Sequence, residues 1–375
     1  MTRVSDPIIA MRVHVLRMPT LATHAHGIGD VSSFDTVILE LKTSSGITGW
    51  GEASPWPVFT GTVEASVAAL HVFMRPYLMG ADPCLVEKHL AAMDRMVVNC
   101  TEAKAAVEMA LLDIMGKMSG LSVGDLIGGR CHDAIPLSFS VANPNYDLDR
   151  ETVKEFYARN IRIYKLKAGF ASHEFDVMRL QDLRNTYGSE IDLRVDYNQG
   201  MHAYEAIRRL KDLERFDLTF IEQPVPRTNI EAMARITQAI DTPILADESV
   251  FGPRDALTVV KMQAADLFSL KIMKSGGIRR GLEVAGIARA AGIGVYGGCM
   301  LETGIAHMAG LHMMSVIPDL TLGCEFYMPT CFLVEDILAH PFPEVDGKIQ
   351  VPNSPGLGVE VDIERLARYR TRLWE

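Results

Sequence analysis

Eight short apolar runs, each followed by a polar turn and a helical segment, predict an α/β chain built around a TIM-type barrel. The runs are PLSFSVA (136–142), IRIYKLK (161–167), DLRVD (192–196), LTFIE (218–222), PILAD (243–247), DLFSLK (266–271), GIGVYGG (292–298) and LTLGCE (320–325). From the second run onward their ends fall 24 to 29 residues apart, the spacing of a strand plus a returning helix. A doubly wound sheet would alternate in the same way, but the GxGxxG expected after its first strand is missing. In a barrel of this kind, residues that do chemistry sit at the C-terminal ends of the strands.

Ahead of the barrel the rhythm differs. Met11, Val13 and Val15 alternate with Arg12 and His14, and Val37, Leu39 and Leu41 also fall at every second position. Ser44-Ser45-Gly46 signals a hairpin, and Ile47 to Glu52 supplies the third strand of an antiparallel meander. Between about 62 and 128, Val107, Ala110, Leu111, Ile114 and Met118 step by three and four, a helical pattern that Gly128-Gly129 ends. The chain therefore divides into an α+β region over 1–130, a barrel over 131–335, and a segment over 336–375 that returns to the first region. In that segment 347–351 and 358–361 are expected to pair around PNSPG, and Asp362 to cap a short final helix.

Composition narrows the function. A chain of 375 residues, 48% apolar and 22% charged, has the length of about two domains and an ordinary globular make-up. Its net charge of −10 argues against nucleic acid or an anionic membrane as partner, and an anionic substrate would need cations gathered locally. The six cysteines form no CxxC pair and read as reduced thiols of a cytoplasmic protein. No secretory leader pattern is evident. The apolar stretch 293–317 is broken by Glu302, His307 and His312, so no membrane span is expected.

The second run carries Lys165 and Lys167, two apart and hence on one face of a strand. On an edge strand that face would be solvent. Inside a barrel, two crowded ammonium groups should have lowered pKa values, as a base at neutral pH requires. The following strand ends favour the barrel. Asp196, Glu222 and Asp247 each end a strand just before a turn (VDYN, IEQP, ADES), and Lys271 ends the next. One such acid would read as a helix cap or a salt bridge, but three converging carboxylates repel and call for a cation. All-oxygen ligation favours Mg2+ or Mn2+. Such an ion on a substrate carboxylate stabilises the enediolate left when the α-proton departs, with Lys167 and Lys271 flanking the two faces of that carbon.

Taken together, YKLKAG, RVDYNQ, FIEQP, ADES, SLKIMKSGG and GGCMLETG resemble the enolase superfamily, in its muconate-lactonizing subgroup. AKAAVEMALLDIMGK (103–117), LIGGR (126–130) and VPNSPGLGVE (351–360) extend the resemblance over nearly the whole chain. It implies a modified TIM barrel of (β/α)7β type, with an N-terminal α+β capping domain completed by the C-terminal tail. It also implies metal ligation by Asp196, Glu222 and Asp247, with Asn198 and Glu248 beside the ligands. Lys167 would be an acid/base supported by Lys165, and Lys271 a second acid/base or an enolate-stabilising cation. Glu325, in LGCEFYMP, matches the glutamate near the eighth strand of muconate cycloisomerases. A homo-oligomer, an octamer by the same resemblance, is expected.

Dipeptide epimerases of this subgroup carry Asp-x-Asp where this chain has Gly323-Cys324-Glu325, which points instead to muconate cycloisomerase. The expected substrate-selecting loops are LATHAHGIGD (21–30) and SPWPVFTG (54–61). The first lacks an arginine for a dicarboxylate, and the second brings bulky Trp56 and Phe59. His24 and His26 are candidate substrate contacts, with ordinary loop residues as the default reading, because an isolated HxH lacks the further ligands of a zinc site. Glu302 is a further candidate at the mouth. Two alternatives stand beside cycloisomerisation. One is racemisation or dehydration of an amino or hydroxy acid, such as a hydroxyproline derivative, through the same two lysines; the other is a non-catalytic binding barrel.

Overall fold

The computed structural model describes residues 6–26 and 29–375; the side chains of His26 and Asp30 lie outside what it describes. The chain opens with three strands, β1 (Ile8–His26), β2 (Gly29–Thr43) and β3 (Thr48–Ala53), paired antiparallel in that order. Alternation sets the register, with Val37, Leu39 and Leu41 of β2 buried on one side. Helix α1 (Val86–Met96) precedes α2 (Thr101–Ser119), which Gly120 ends in the left-handed conformation at φ 72°. Helix α2 is buried on almost every face because it lies between β3 and the barrel segment 272–275. Backbone meets backbone at that contact. A Cβ at Gly51 would stand 1.9 Å from the Ala106 carbonyl oxygen, and one at Gly49 would stand 2.3 Å from that of Ala110.

Seven parallel strands follow, each hydrogen-bonded to the next: β4 (Ser138–Val141), β5 (Ile163–Lys167), β6 (Asp192–Asp196), β7 (Ile221–Glu222), β8 (Ile244–Ala246), β9 (Leu267–Leu270) and β10 (Gly294–Gly297). The eighth run forms no extended strand. Instead Cys324 bridges Leu137 on one side and Gly297 on the other, and this closes the sheet. Gly323, at φ 73°, approaches so closely that a Cβ there would be 2.5 Å from the Pro136 carbonyl oxygen. Helices α3 (Ile278–Ala291) and α4 (Gly304–Ser315) pack outside the last strands.

The tail departs from expectation. Lys348–Gln350 pairs with Glu344–Val345 and with Ala134–Pro136, while Val361 bridges Leu338. The two tail segments cannot zip together because the turn between them is held elsewhere. The Gly356 N–H donates to Leu121 O at 2.9 Å and the Leu357 N–H to Asp113 Oδ1 at 2.9 Å, both on the N-terminal cap. Asp362 does cap the final helix, accepting from the Glu364 and Arg365 N–H groups at 2.9 and 3.0 Å. Strand β11 (Arg370–Trp374) then adds antiparallel to the outer edge of β1. All six cysteines are free, and among the described residues no helix is long and apolar enough to cross a membrane.

Two stability predictions follow from this packing. Gly51→Ala should cost about 3 kcal/mol, since neither backbone can give way; an unchanged melting temperature would show that α2 is free to shift. His307 on α4 is fully buried, and burial pushes its pKa down to about 3. Its folded value lies below its unfolded one, so stability falls as the pH drops below the ordinary 6.5 and the loss is complete near 3. The loss is about 2 kcal/mol by pH 5. His307→Phe should therefore move the midpoint of acid unfolding to lower pH.

Candidate active site

Strand alternation brings Lys165 and Lys167 to the inner face of the barrel, and both are buried rather than on a solvent edge. Lys165 Nζ lies 2.7 Å from Glu222 Oε2, 2.6 Å from Glu325 Oε2 and 3.6 Å from Asp196 Oδ2. Lys167 Nζ donates to Asp196 Oδ2 at 2.6 Å and to Asn198 Oδ1 at 3.1 Å. The expected lowering of lysine pKa by crowding is not what the geometry produces at Lys165. Burial works against its charge, but Glu222, Glu325 and Asp196 outweigh burial and hold the ammonium well above the ordinary lysine range. Lys271 is raised too, chiefly by Asp247 acting against burial. The crowding is real, but acids crowd in with the lysines.

Asp247, just past the end of β8, is clamped from two sides. Lys271 Nζ reaches its Oδ2 at 2.7 Å, and Lys274 Nζ reaches Oδ1 and the main-chain oxygen, each at 2.7 Å. A third donation from Lys274, to Ser269 O at 2.9 Å, uses up its protons. The Gln223 side-chain oxygen accepts from the N–H groups of Asp247 at 3.1 Å and Ser249 at 3.0 Å. Lys274 and Gln223 are site residues that strand-end position does not single out, although both stand inside motifs that mark the site, SLKIMKSGG and FIEQP. Asn198 and Gln223 lie at φ 42° and 33°, so the chain turns sharply just after Asp196 and Glu222.

Negative charge is in excess here. Burial and repulsion from Asp196 push Glu222 up to about 7, despite the pull of Lys165. Burial with repulsion from Asp247 and Asp196 pushes Glu248 up to about 8. In the Lys165–Glu222 pair we take the ammonium as the fixed charge, because three carboxylates share it. Asn198 Nδ2 donates to Glu248 Oε1 at 3.3 Å, whereas Glu222 Oε1 and Glu248 Oε2 are buried without a hydrogen-bond partner. Among the described residues no three acidic, histidine or cysteine side chains already form a coordination cluster, because the lysines hold most of the oxygens that would form one. The donor set nonetheless suits a hard dication: Asp196 and Glu222 stand on neighbouring strand ends, and Glu222, like Glu248 past the end of β8, keeps an unclaimed buried oxygen.

A cavity of about 30 Å3 opens between these groups and the cap, lined by Lys167, Lys271, Glu325, His24, Trp56 and Tyr327 among others. It has room for little more than a water molecule. His24 also lines a separate cavity of about 800 Å3, beside residues 142–159 and 330–332, and packs edge-on to Phe332 at 5.1 Å. Lys167 and Lys271 line the smaller cavity, not the larger. Phe59 lies against Lys271, with Nζ 5.0 Å from its ring, and stacks on Trp56 at 6.3 Å. Glu302 does not line the cavity. It is buried behind Met300, whose N–H it accepts at 3.0 Å, with His307 Nε2 3.8 Å away. His26, the remaining loop candidate, lies outside the described side chains.

A closed parallel barrel with lysines facing strand-end carboxylates beneath an antiparallel cap defines an enzyme that handles carbon acids. The chain belongs to the mandelate racemase/muconate lactonizing enzyme family: residues 10–128 match its N-terminal domain and residues 149–366 the enolase C-terminal domain-like family. Muconate cycloisomerase 1 of Acinetobacter baylyi is 33% identical over 94% of this chain and 96% of its own length. A muconate lactonizing enzyme from Pseudomonas fluorescens, solved with muconolactone, superimposes with TM-score 0.94 at 34% identity, covering 98% of this chain and all of that one. An N-succinyl Arg/Lys racemase from Bacillus cereus superimposes at 0.93 with 30% identity, covering 98% and 99%. The protein is thus an enolase-superfamily enzyme of the isomerase type, and its family depends on metal ions.

Lys165→Met should leave Glu222 and Glu325 facing each other without their shared cation, at a cost of about 3–5 kcal/mol. Denaturant unfolding measures this, and a loss below about 1 kcal/mol would show that the acids are neutralised by something else.

Proposed function

We propose that this enzyme converts cis,cis-muconate to a muconolactone by cycloisomerisation, with Lys167 as the acid that protonates the enolate carbon. The observation that carries the proposal is the placement of Lys167 and Lys271 on the lining of one cavity, each paired to a strand-end carboxylate. Asp196, Glu222 and Asp247 would hold Mg2+ or Mn2+, with Asn198 and Glu248 beside them. A bound dication offsets the negative charge that gathers on a substrate carboxylate as its α-carbon becomes an enolate. Charge balance supports this: once Glu222 and Glu248 ionise beside a dication, five carboxylates (Asp196, Glu222, Asp247, Glu248, Glu325) face four ammonium groups (Lys165, Lys167, Lys271, Lys274). A dication and one substrate carboxylate bring that cluster to neutrality.

In the forward direction one carboxylate oxygen of muconate adds to the distant double bond and forms the lactone C–O bond. The electron pair moves to the α-carbon of the other carboxylate, and Lys167 delivers a proton there, to be replaced from solvent. Asp196 and Asn198 hold the Lys167 ammonium in place for that delivery. Lys165 stays charged between Glu222 and Glu325 and keeps the floor of the site from repelling an anion.

One observation favours a second reading, racemisation or dehydration of an amino or hydroxy acid. Among the described residues the cavity lining offers no cation besides Lys167 and Lys271 for a second carboxylate, and its outer wall is Trp56, His24 and Tyr327. A monocarboxylate suits that wall better than a diacid.

The ultraviolet absorbance of cis,cis-muconate with Mn2+ present decides between the two; no decay at high enzyme concentration removes the first. Under either reading Lys167→Ala should abolish turnover, by about 10³-fold or more, with fold and metal binding intact. Lys271→Ala should be as damaging in a two-base reaction, whereas partial activity should survive in cycloisomerisation.

A further inference from the structure

Glu52 lies next to the end of β3 in the N-terminal cap, and its carboxylate is fully buried. Four donors converge on it. Oε1 accepts from Thr36 Oγ1 at 2.8 Å and the Thr303 N–H at 2.9 Å; Oε2 accepts from Thr303 Oγ1 at 2.7 Å and the Ala306 N–H at 3.1 Å. One donor belongs to the cap and three to the barrel, at the start of α4. Two chain segments run away from this point, and both reach the reaction cavity. On the cap side, Ser54 Oγ contacts Leu301 O and the Ser54 N–H points to Met273 Sδ at 3.4 Å; Trp56 and Phe59 follow. On the barrel side, Met300 and Leu301 line the cavity just before Thr303.

We infer that Glu52 is the positioning residue that sets the substrate-selecting loop 54–61 in register with segment 299–303, and so places Trp56 and Phe59 over Lys271. Because all four partners donate, the arrangement requires two acceptor oxygens. A glutamine has the same shape, but its NH2 would confront one backbone N–H, either Thr303 or Ala306, that has no other way to turn. The threonine hydroxyls can rotate to accept; the backbone cannot. Glu52 touches no reacting atom and acts through the loop, so its removal should change how substrate is held rather than the proton transfer itself.

The test uses Glu52→Gln and Thr303→Val, with Thr303→Ser as the variant that keeps the hydroxyl. Each is made in a Trp50→Phe, Trp374→Phe background, which leaves Trp56 as the single tryptophan. Acrylamide quenching of Trp56 should roughly double in Glu52→Gln and rise in Thr303→Val, as a loosened loop requires, and stay at the parent value in Thr303→Ser. For whichever carboxylate the parent turns over, KM should rise about tenfold in Glu52→Gln, with kcat and Mn2+ affinity within about twofold of the parent. Folded variants with unchanged quenching and unchanged KM overturn the inference, even if they melt earlier. So does a joint fall in kcat and Mn2+ affinity at constant KM, which would assign Glu52 to the metal centre. If Glu52→Gln does not fold, Thr303→Val decides by the same readouts. A parent that turns over neither muconate nor an amino or hydroxy acid counts against the proposed function alone, and the quenching result then settles the latch.

Discussion

The mutual neutralisation of lysines and carboxylates at the mouth of the barrel is the constraint on which the rest of this protein depends. No member of that cluster could be buried alone, since an isolated charge in the interior costs several kcal/mol. Lys165 is the centre of it: one ammonium serves Glu222, Glu325 and Asp196, which come from three different places around the barrel wall. The sheet has to close for those three acids to meet. The bridges from Cys324 to Leu137 and Gly297 therefore do more than complete the hydrogen bonding; they bring Glu325 to Lys165. Fold and site are stabilised by the same contacts.

The pKa values express that interdependence. Lys165 and Lys271 are driven up by their acids, while Glu222 and Glu248 are driven up by burial and by each other's neighbours. The cluster as a whole lacks positive charge, which is what a site for a dication and an anionic substrate should look like before they arrive. Asp196 and Asp247 each hold a cavity-lining lysine, Lys167 and Lys271 respectively.

The N-terminal cap contributes more than two loops. Helix α2 lies in backbone contact with β3, and its Glu108 accepts from the Arg279 N–H at 3.0 Å and from the Ile278 N–H at the start of α3. Glu52 makes the matching connection to α4. Acids placed at helix N-termini meet unpaired N–H groups and the favourable end of the helix dipole, so they tie the cap to the barrel without apolar area. Both helices follow segments that carry site residues, Lys271 to Lys274 and Cys299 to Leu301. The surface that selects substrate and the surface that reacts are therefore held to one reference.

The spacing of apolar runs, the alternation in the first sheet and the acids at strand ends are local properties, and the chain displays them without help. They account for the barrel, the antiparallel cap, the final capped helix, and the choice of Asp196, Glu222, Asp247, Lys167 and Lys271 as the residues to watch. Family resemblance in the motifs extended that to Glu325. Partnership was not legible, because it depends on which side chains from distant segments share a buried volume. Lys165 looked like a crowded base until three acids were seen around it. Lys274 and Gln223 carry no signal of their own within SLKIMKSGG and FIEQP, and only the fold brings both to Asp247. The tail strands looked complementary until the PNSPG turn was seen pinned to Asp113 and Leu121. Sequence pattern by itself determined most of the elements and which residue types reach the barrel mouth, since periodicity needs only neighbours along the chain; how the eighth run and the tail segments pair was left to the fold. Tertiary structure alone decided the contacts of each group and the direction in which Lys165, Lys271, Glu222 and Glu248 are driven, since electrostatic energy in the interior is set by distances across the fold.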